Sequence, residues 1–119
     1  MSNVLTFDQG TDEIVQVANL VDAAEQPLVV DGWTVHATAR ADYTGGAILA
    51  EWRTNPTGSD GTATASGRTV TLKITPAMSA AWTATRIVCQ IKITEPGEGG
   101  RVARPGNLLL LMTPDAVSA

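Results

Sequence analysis

The chain has 119 residues, 44% of them apolar and 17% charged, with a formal net charge of −4 and a single cysteine. This length suits one domain with its own core, the composition is too apolar for intrinsic disorder, and no apolar run is long enough to cross a bilayer as a helix. One cysteine excludes an internal disulfide, and the eight basic residues are scattered, with no stripe of positive charge for nucleic acid or an anionic membrane.

The opening MSNVLTFDQG has no basic stretch leading into an apolar one. No secretory signal is expected, and the chain is read as made in a cytoplasm, with residues 1–8 as a short arm. DEIVQVANL, residues 12–20, places Val15 and Val17 on one parity and Ile14, Gln16 and Ala18 on the other, a strand partly buried on both faces. In VDAAEQPLVVDG, Asp22 opens a turn, Pro27 fixes φ and Asp31-Gly32 closes the loop. GWTVHATARA, residues 32–41, then alternates: Trp33, Val35, Ala37, Ala39 and Ala41 against Thr34, His36, Thr38 and Arg40. Period two predicts a strand whose first set faces a core and whose second forms a polar outer row.

TGG at 44–46 breaks the chain, and AILAEWR, residues 47–53, resumes strand character around Trp52. The polar loop TNPTGSDG follows; Pro56 in the middle of Asn55-Pro56-Thr57 excludes glycosylation there. TATASGRTVTLKIT reads as a hairpin turning at Ser66-Gly67, with Val70, Leu72 and Ile74 on the inner face. PAMSAAW, residues 76–82, sets proline before good helix formers and is the only helical candidate, one or two turns long. RIVCQIKIT, residues 86–94, alternates again, Ile87, Cys89, Ile91 and Ile93 inward, Arg86, Val88, Gln90 and Lys92 outward. After EPGEGG and Arg104-Pro105-Gly106, NLLLLMT is apolar on both parities, a strand covered on two sides with the second cover expected from a neighbour. Residues 114–119 read as a short tail.

Seven or eight strands separated by turn signals predict an all-β fold, an antiparallel β-sandwich forming one domain over residues 1–119, with at most one short helix near 76–82. Trp33, Trp52 and Trp82 are the core anchors, each able to bury on the order of 200 Å².

Chemistry is harder to find. One histidine and one cysteine cannot build a zinc site, and GTDE and SDGT hold only isolated acidic pairs where calcium would need a carboxylate-rich loop. His36 lies on the parity opposite Trp33, away from the core-facing Cys89, so a nucleophile and its base do not meet. No spacing singles out a pair of carboxylates for glycoside hydrolysis. GEGG at 97–100 lacks the lysine and the strand-to-helix setting of a phosphate cradle. The chain is therefore read as a non-enzyme without cofactor or metal, one that works through its surface.

Some of this succession is similar to small phage virion proteins. QGTD at 9–12 and VDAAEQPLVVDGWTVHATAR at 21–40 resemble the immunoglobulin-like N-terminal domain of siphophage upper baseplate proteins, with Asp22, Pro27, Gly32 and Arg40 in matching positions. TVTLKITPAMSAAW, RIVCQIKI and GNLLLLMTPD continue the likeness over nearly the whole chain. Two places depart from it: Glu25 stands where a turn glycine is usual, and the strand at 86–94 lacks a Tyr-Asp opening.

The resemblance implies an immunoglobulin-like sandwich and a structural role in the virion, tail-tip or baseplate associated, assembled in the host cytoplasm. Its partners would be other virion proteins and copies of itself. Capsid decoration is the alternative location. A carbohydrate-binding adhesion module, with a host surface glycan as ligand, is the alternative function. The candidate interface residues are His36 and Arg40 on the polar row, and Leu108 and Leu110 on the apolar strand at 108–112, expected to serve as an edge or interface element.

Overall fold

The computed structural model describes residues 4–43, 45–58 and 60–114. Parts of the expected arm, tail and loops, at residues 1–3, 44, 59 and 115–119, lie outside these. The described strands are β1 (Val4–Asp8), β2 (Glu13–Val17), β3 (Thr34–Ala41), β4 (Ile48–Arg53), β5 (Gly61–Ser66), β6 (Thr69–Ile74), β7 (Arg86–Thr94), β8 (Val102–Ala103) and β9 (Asn107–Thr113). A single turn of helix, α1 (Pro76–Ala80), falls where proline and its neighbours predicted it; Thr75 caps it by accepting from the Met78 N–H at 3.2 Å.

The fold is all-β, a mixed sheet in the order β1-β9-β7-β3-β4-β5-β6-β2, curled nearly into a barrel, with β8 pairing β7 beyond the end of β9. Most pairings are antiparallel, but β1 runs parallel to β9 and β4 parallel to β5. Over Val4–Asp8 the expected arm is thus a strand of the sheet, held because Phe7 turns into the core and each β1 residue finds a partner between Leu109 and Thr113. β9 is correspondingly not an edge. It lies between β1 and β7.

The order divides into two wings, β1-β9-β7-β3-β4 and β5-β6-β2, whose strand pairing across β4 and β5 is, among the described residues, Trp52↔Gly61 and Arg53↔Thr62. Their inner faces share one core. Val35, Ala37 and Ala39 of β3, Ile87, Cys89, Ile91 and Ile93 of β7, and Leu110 and Met112 of β9 meet Val15, Ala63, Val70, Leu72 and Ile74 of the other wing. Burial on alternate positions is the period-two pattern visible in the sequence.

Trp52 secures the joint. Its indole is fully buried, and Nε1–H donates to the Lys73 carbonyl at 2.7 Å, linking β4 to β6 across the two-residue seam. A Cβ at position 61 would collide with this indole, so glycine is what lets β5 pass beside it. Trp82 stands edge-on to Trp52, with centroids 6.4 Å apart at 81°, and edge-on to Phe7 at 6.0 Å and 86°. Such pairs contribute about 0.5–1.5 kcal/mol each beyond their burial. Gln9 completes this end: its Nε2–H group donates to the carbonyls of Ser79 at 2.9 Å and Trp82 at 3.0 Å, while the Gly10 N–H donates to Ser79 Oγ at 2.8 Å.

Replacing Trp52 by alanine is expected to lower the unfolding free energy by about 3–5 kcal/mol, measured by urea denaturation. A loss below about 1 kcal/mol, the level of an ordinary surface change, would show that the two wings hold together without it.

Candidate functional site

Of the two outer faces of the sheet, the broader is the outer side of β1-β9-β7-β3-β4. Register places its residues in rows across the strands. One row reads Val4, Leu109, Val88, Arg40 and Ile48, and the neighbouring row Thr6, Leu111 and Arg86. Val4 and Ile48 are exposed, and so is Tyr43 at the end of β3. A depression of about 440 Å³ lies over this end, lined by Val4, Tyr43, Arg86, Val88 and Leu109 among others. Four strands, β1, β9, β7 and β4, therefore present apolar side chains in one band, with Arg40 of β3 set among them and Arg86 in the neighbouring row.

Below the band the face becomes polar. His36 pairs laterally with Arg53 and Lys92, and Thr38 with Glu51 and Gln90. Glu51 sits between His36 Nε2 at 3.4 Å and the Arg53 guanidinium at 3.5 Å; Arg53 also reaches Asp60 at 3.4 Å. All are partly solvated, so each pair contributes little to stability.

The four expected interface residues separate. His36 is on the outer face and is engaged by Glu51 within the chain. Arg40 is in the apolar band itself: Nη1–H donates to the Gly46 carbonyl at 3.1 Å, while Nε is enclosed without an acceptor. Leu108 is partly buried and packs against the core. Leu110 requires a correction, because it is fully buried and points inward with Met112, where no partner can reach it. The strand was apolar on both parities, and its outward residues are Leu109 and Leu111. Pairing of Leu109 with Val88, already assigned outward, is the signal that identifies them.

The three tryptophans are buried. Trp33 closes one end of the core beneath Arg101, whose guanidinium lies 5.2 Å from the ring centroid and pairs with Glu95 at 3.1 Å. Hydrogen bonding from Arg101 holds the Glu95 carboxyl below its usual range and raises the arginine in turn. Among the described residues no three His, Cys, Asp or Glu side chains converge as metal ligands, and no helix is long and apolar enough to cross a membrane. Compared with models of protein families the chain matches none, and a search of the curated proteins finds no match.

Burial pushes the Cys89 thiol from 9.0 up to about 12. A folded pKa above the unfolded one makes a stabilising contribution that is complete below 9.0 and is lost as pH rises toward 12. The thiol is expected to resist a disulfide reagent at pH 8 in the folded protein and to react at once in denaturing urea. Rapid labelling without denaturant would contradict its enclosure between the wings.

Proposed function

We propose that this chain is a bacteriophage virion structural protein, tail-tip or baseplate associated, that works by packing against neighbouring virion proteins and copies of itself. The observation that carries this reading is the outer row of Val4, Leu109, Val88 and Ile48, with Arg40 set between Val88 and Ile48, and Leu111, Arg86 and Tyr43 beside it. Contiguous exposed apolar surface rimmed by polar groups marks association sites, and arginine and tyrosine are favoured in such interfaces.

The finer fold reading belongs with this proposal. The orders β9-β7-β3-β4 and β5-β6-β2 follow the G-F-C-C′ and D-E-B strand orders of a variable-type immunoglobulin sandwich. Two details support the resemblance to the phage modules. The Gln-Gly step at 9–10 has a structural purpose, since Gln9 binds the carbonyls after α1 and Gly10 takes φ 81°. Glu25, placed where the resembled pattern carries glycine, adopts φ 61° in a turn closed by Asp22, whose Oδ1 accepts from the Ala24 and Gln26 N–H groups at 2.9 Å. Burial of all three indoles, with Tyr43 the exposed aromatic ring among the described residues, supports the assembly reading over the carbohydrate-binding alternative.

Peptide mass spectrometry of purified particles, separated into heads and tails, is expected to find the chain in the tail fraction. Detection in heads alone would move it to capsid decoration, and absence from both would overturn the reading. Ile48→Asp, at an exposed position at the start of β4, is expected in the phage to reduce incorporation by roughly tenfold or more, the effect of about 1.4 kcal/mol at an interface, while the isolated protein keeps its melting temperature.

A further inference from the structure

β2 ends the sheet order, paired with β6 on one side, and among the described residues nothing pairs with its other edge. An open edge offers a row of backbone N–H and C=O groups to an extended strand, and natural edges are blunted by proline, lysine, a bulge or an inward charge. β2 has only the last of these: Glu13, at its first position, on the same parity as Val15 and Val17. From Ile14 to Ala18 there is no charge and no proline, and Ile14 stands on the outer face at 61% exposure.

A second copy of β2 fits this edge in one register. Residues directly opposite in an antiparallel pair share a face, so two copies related by a two-fold axis meet with one residue opposite itself. Centred on Ile14, Glu13 would face Val15 of the other copy, and centred on Val15 it would face Val17. Either sets a carboxylate against a valine packed in or on the core. Centred on Gln16, Glu13 falls opposite Asn19, where φ of 57° ends the strand, and the pairs inside the ladder match: Gln16 with Gln16, Ile14 with Ala18, Val15 with Val17. The same register carries Asp12 to Leu20 of the other copy. There Arg68 Nε–H donates to the Leu20 carbonyl at 3.1 Å, which holds its guanidinium at this end of the β2 edge. Asp31 accepts from the Gly67 N–H and Asp22 from the Ala24 and Gln26 N–H groups. Neither acid pairs with Arg68, and Arg68 and Asp12 form no ion pair among the described residues.

We infer that two copies of this chain join β2 to β2 about a two-fold axis at Gln16, extending β5-β6-β2 into one sheet with three strands from each copy, and that Asp12 of each copy sits beside Arg68 of the other. This rests on the assembly reading above and goes beyond it in naming a second surface and a second copy as its occupant. The contact uses the same patch on both sides, so it closes at two copies and does not grow. The apolar band lies on the other wing and stays free for a different virion protein.

Sedimentation velocity of the purified chain over a concentration series tests this directly. The wild type is expected to show a monomer–dimer equilibrium with no larger species. Gln16→Lys and Gln16→Glu each set like charges opposite one another at the axis, which opposes strand pairing, and each is expected to be monomeric at concentrations where the wild type is dimeric. Gln16 is exposed, and unchanged circular dichroism and melting would show that both variants fold. Mixing the two sets lysine against glutamate and is expected to restore a one-to-one dimer. A wild type that stays monomeric or grows beyond dimers, variants that associate like the wild type, or a mixture that stays monomeric would each overturn the inference. Presence of the chain in particles is read separately by mass spectrometry, so failure here leaves the virion reading to its own test.

Discussion

The Trp52 indole crosses from one wing of the sheet to the other, donating its N–H to the Lys73 carbonyl where, among the described residues, two residue pairs connect β4 with β5. A seam so short could let the wings swing apart. It is closed by a buried hydrogen bond, by the close passage of Gly61 and by the edge-to-face chain from Trp52 through Trp82 to Phe7. A polar indole N–H deep in a core would be costly unless satisfied, and Lys73 satisfies it. That chain reaches from the middle of the sheet to β1, its outermost strand. The first strand, the helix and both wings are therefore fixed relative to one another by one contiguous aromatic cluster.

Rigidity at this joint bears on the proposed interface. The outer face spans five strands, and its apolar band exists as a band only while β1, β9, β7, β3 and β4 hold register. A slip of one residue on any of them would carry its apolar side chains to the opposite face. Surfaces that bind by shape need this preorganisation, since ordering a mobile face on contact would consume much of the association energy. Gln9 contributes at the same place by tying the β1 end to the carbonyls that follow α1.

How much of this was legible in the sequence depended on which kind of interaction set each feature. β3 and β7 were readable because each buries one face, so Val35, Ala37 and Ala39, or Ile87, Cys89, Ile91 and Ile93, repeat at period two. α1 was readable from Pro76 and the helix formers after it. β1 was not, because a five-residue strand with only Phe7 buried carries almost no periodicity, and its parallel partner lies about a hundred residues away. The Leu108 to Leu111 run was ambiguous for a different reason. Apolar residues on both parities cannot say which faces inward, and cross-strand pairing decides it: Leu110 stands opposite core-facing Ile87, Leu109 opposite outward Val88. His36 was placed on the correct face, but its engagement by Glu51 arises from the register between β3 and β4, in which His36 stands opposite Arg53 and Thr38 opposite Glu51.

In the proposed virion role the outer apolar band is covered by a neighbour in the assembled particle. Hydroxyl-radical footprinting of the free chain and of intact virions measures this at the residues concerned. Oxidation of Tyr43, Ile48 and Leu109 is predicted to fall several-fold in the particle while exposed Val29, on a loop away from the band, keeps its free-state labelling. Equal labelling of the band residues in the two states would contradict the account.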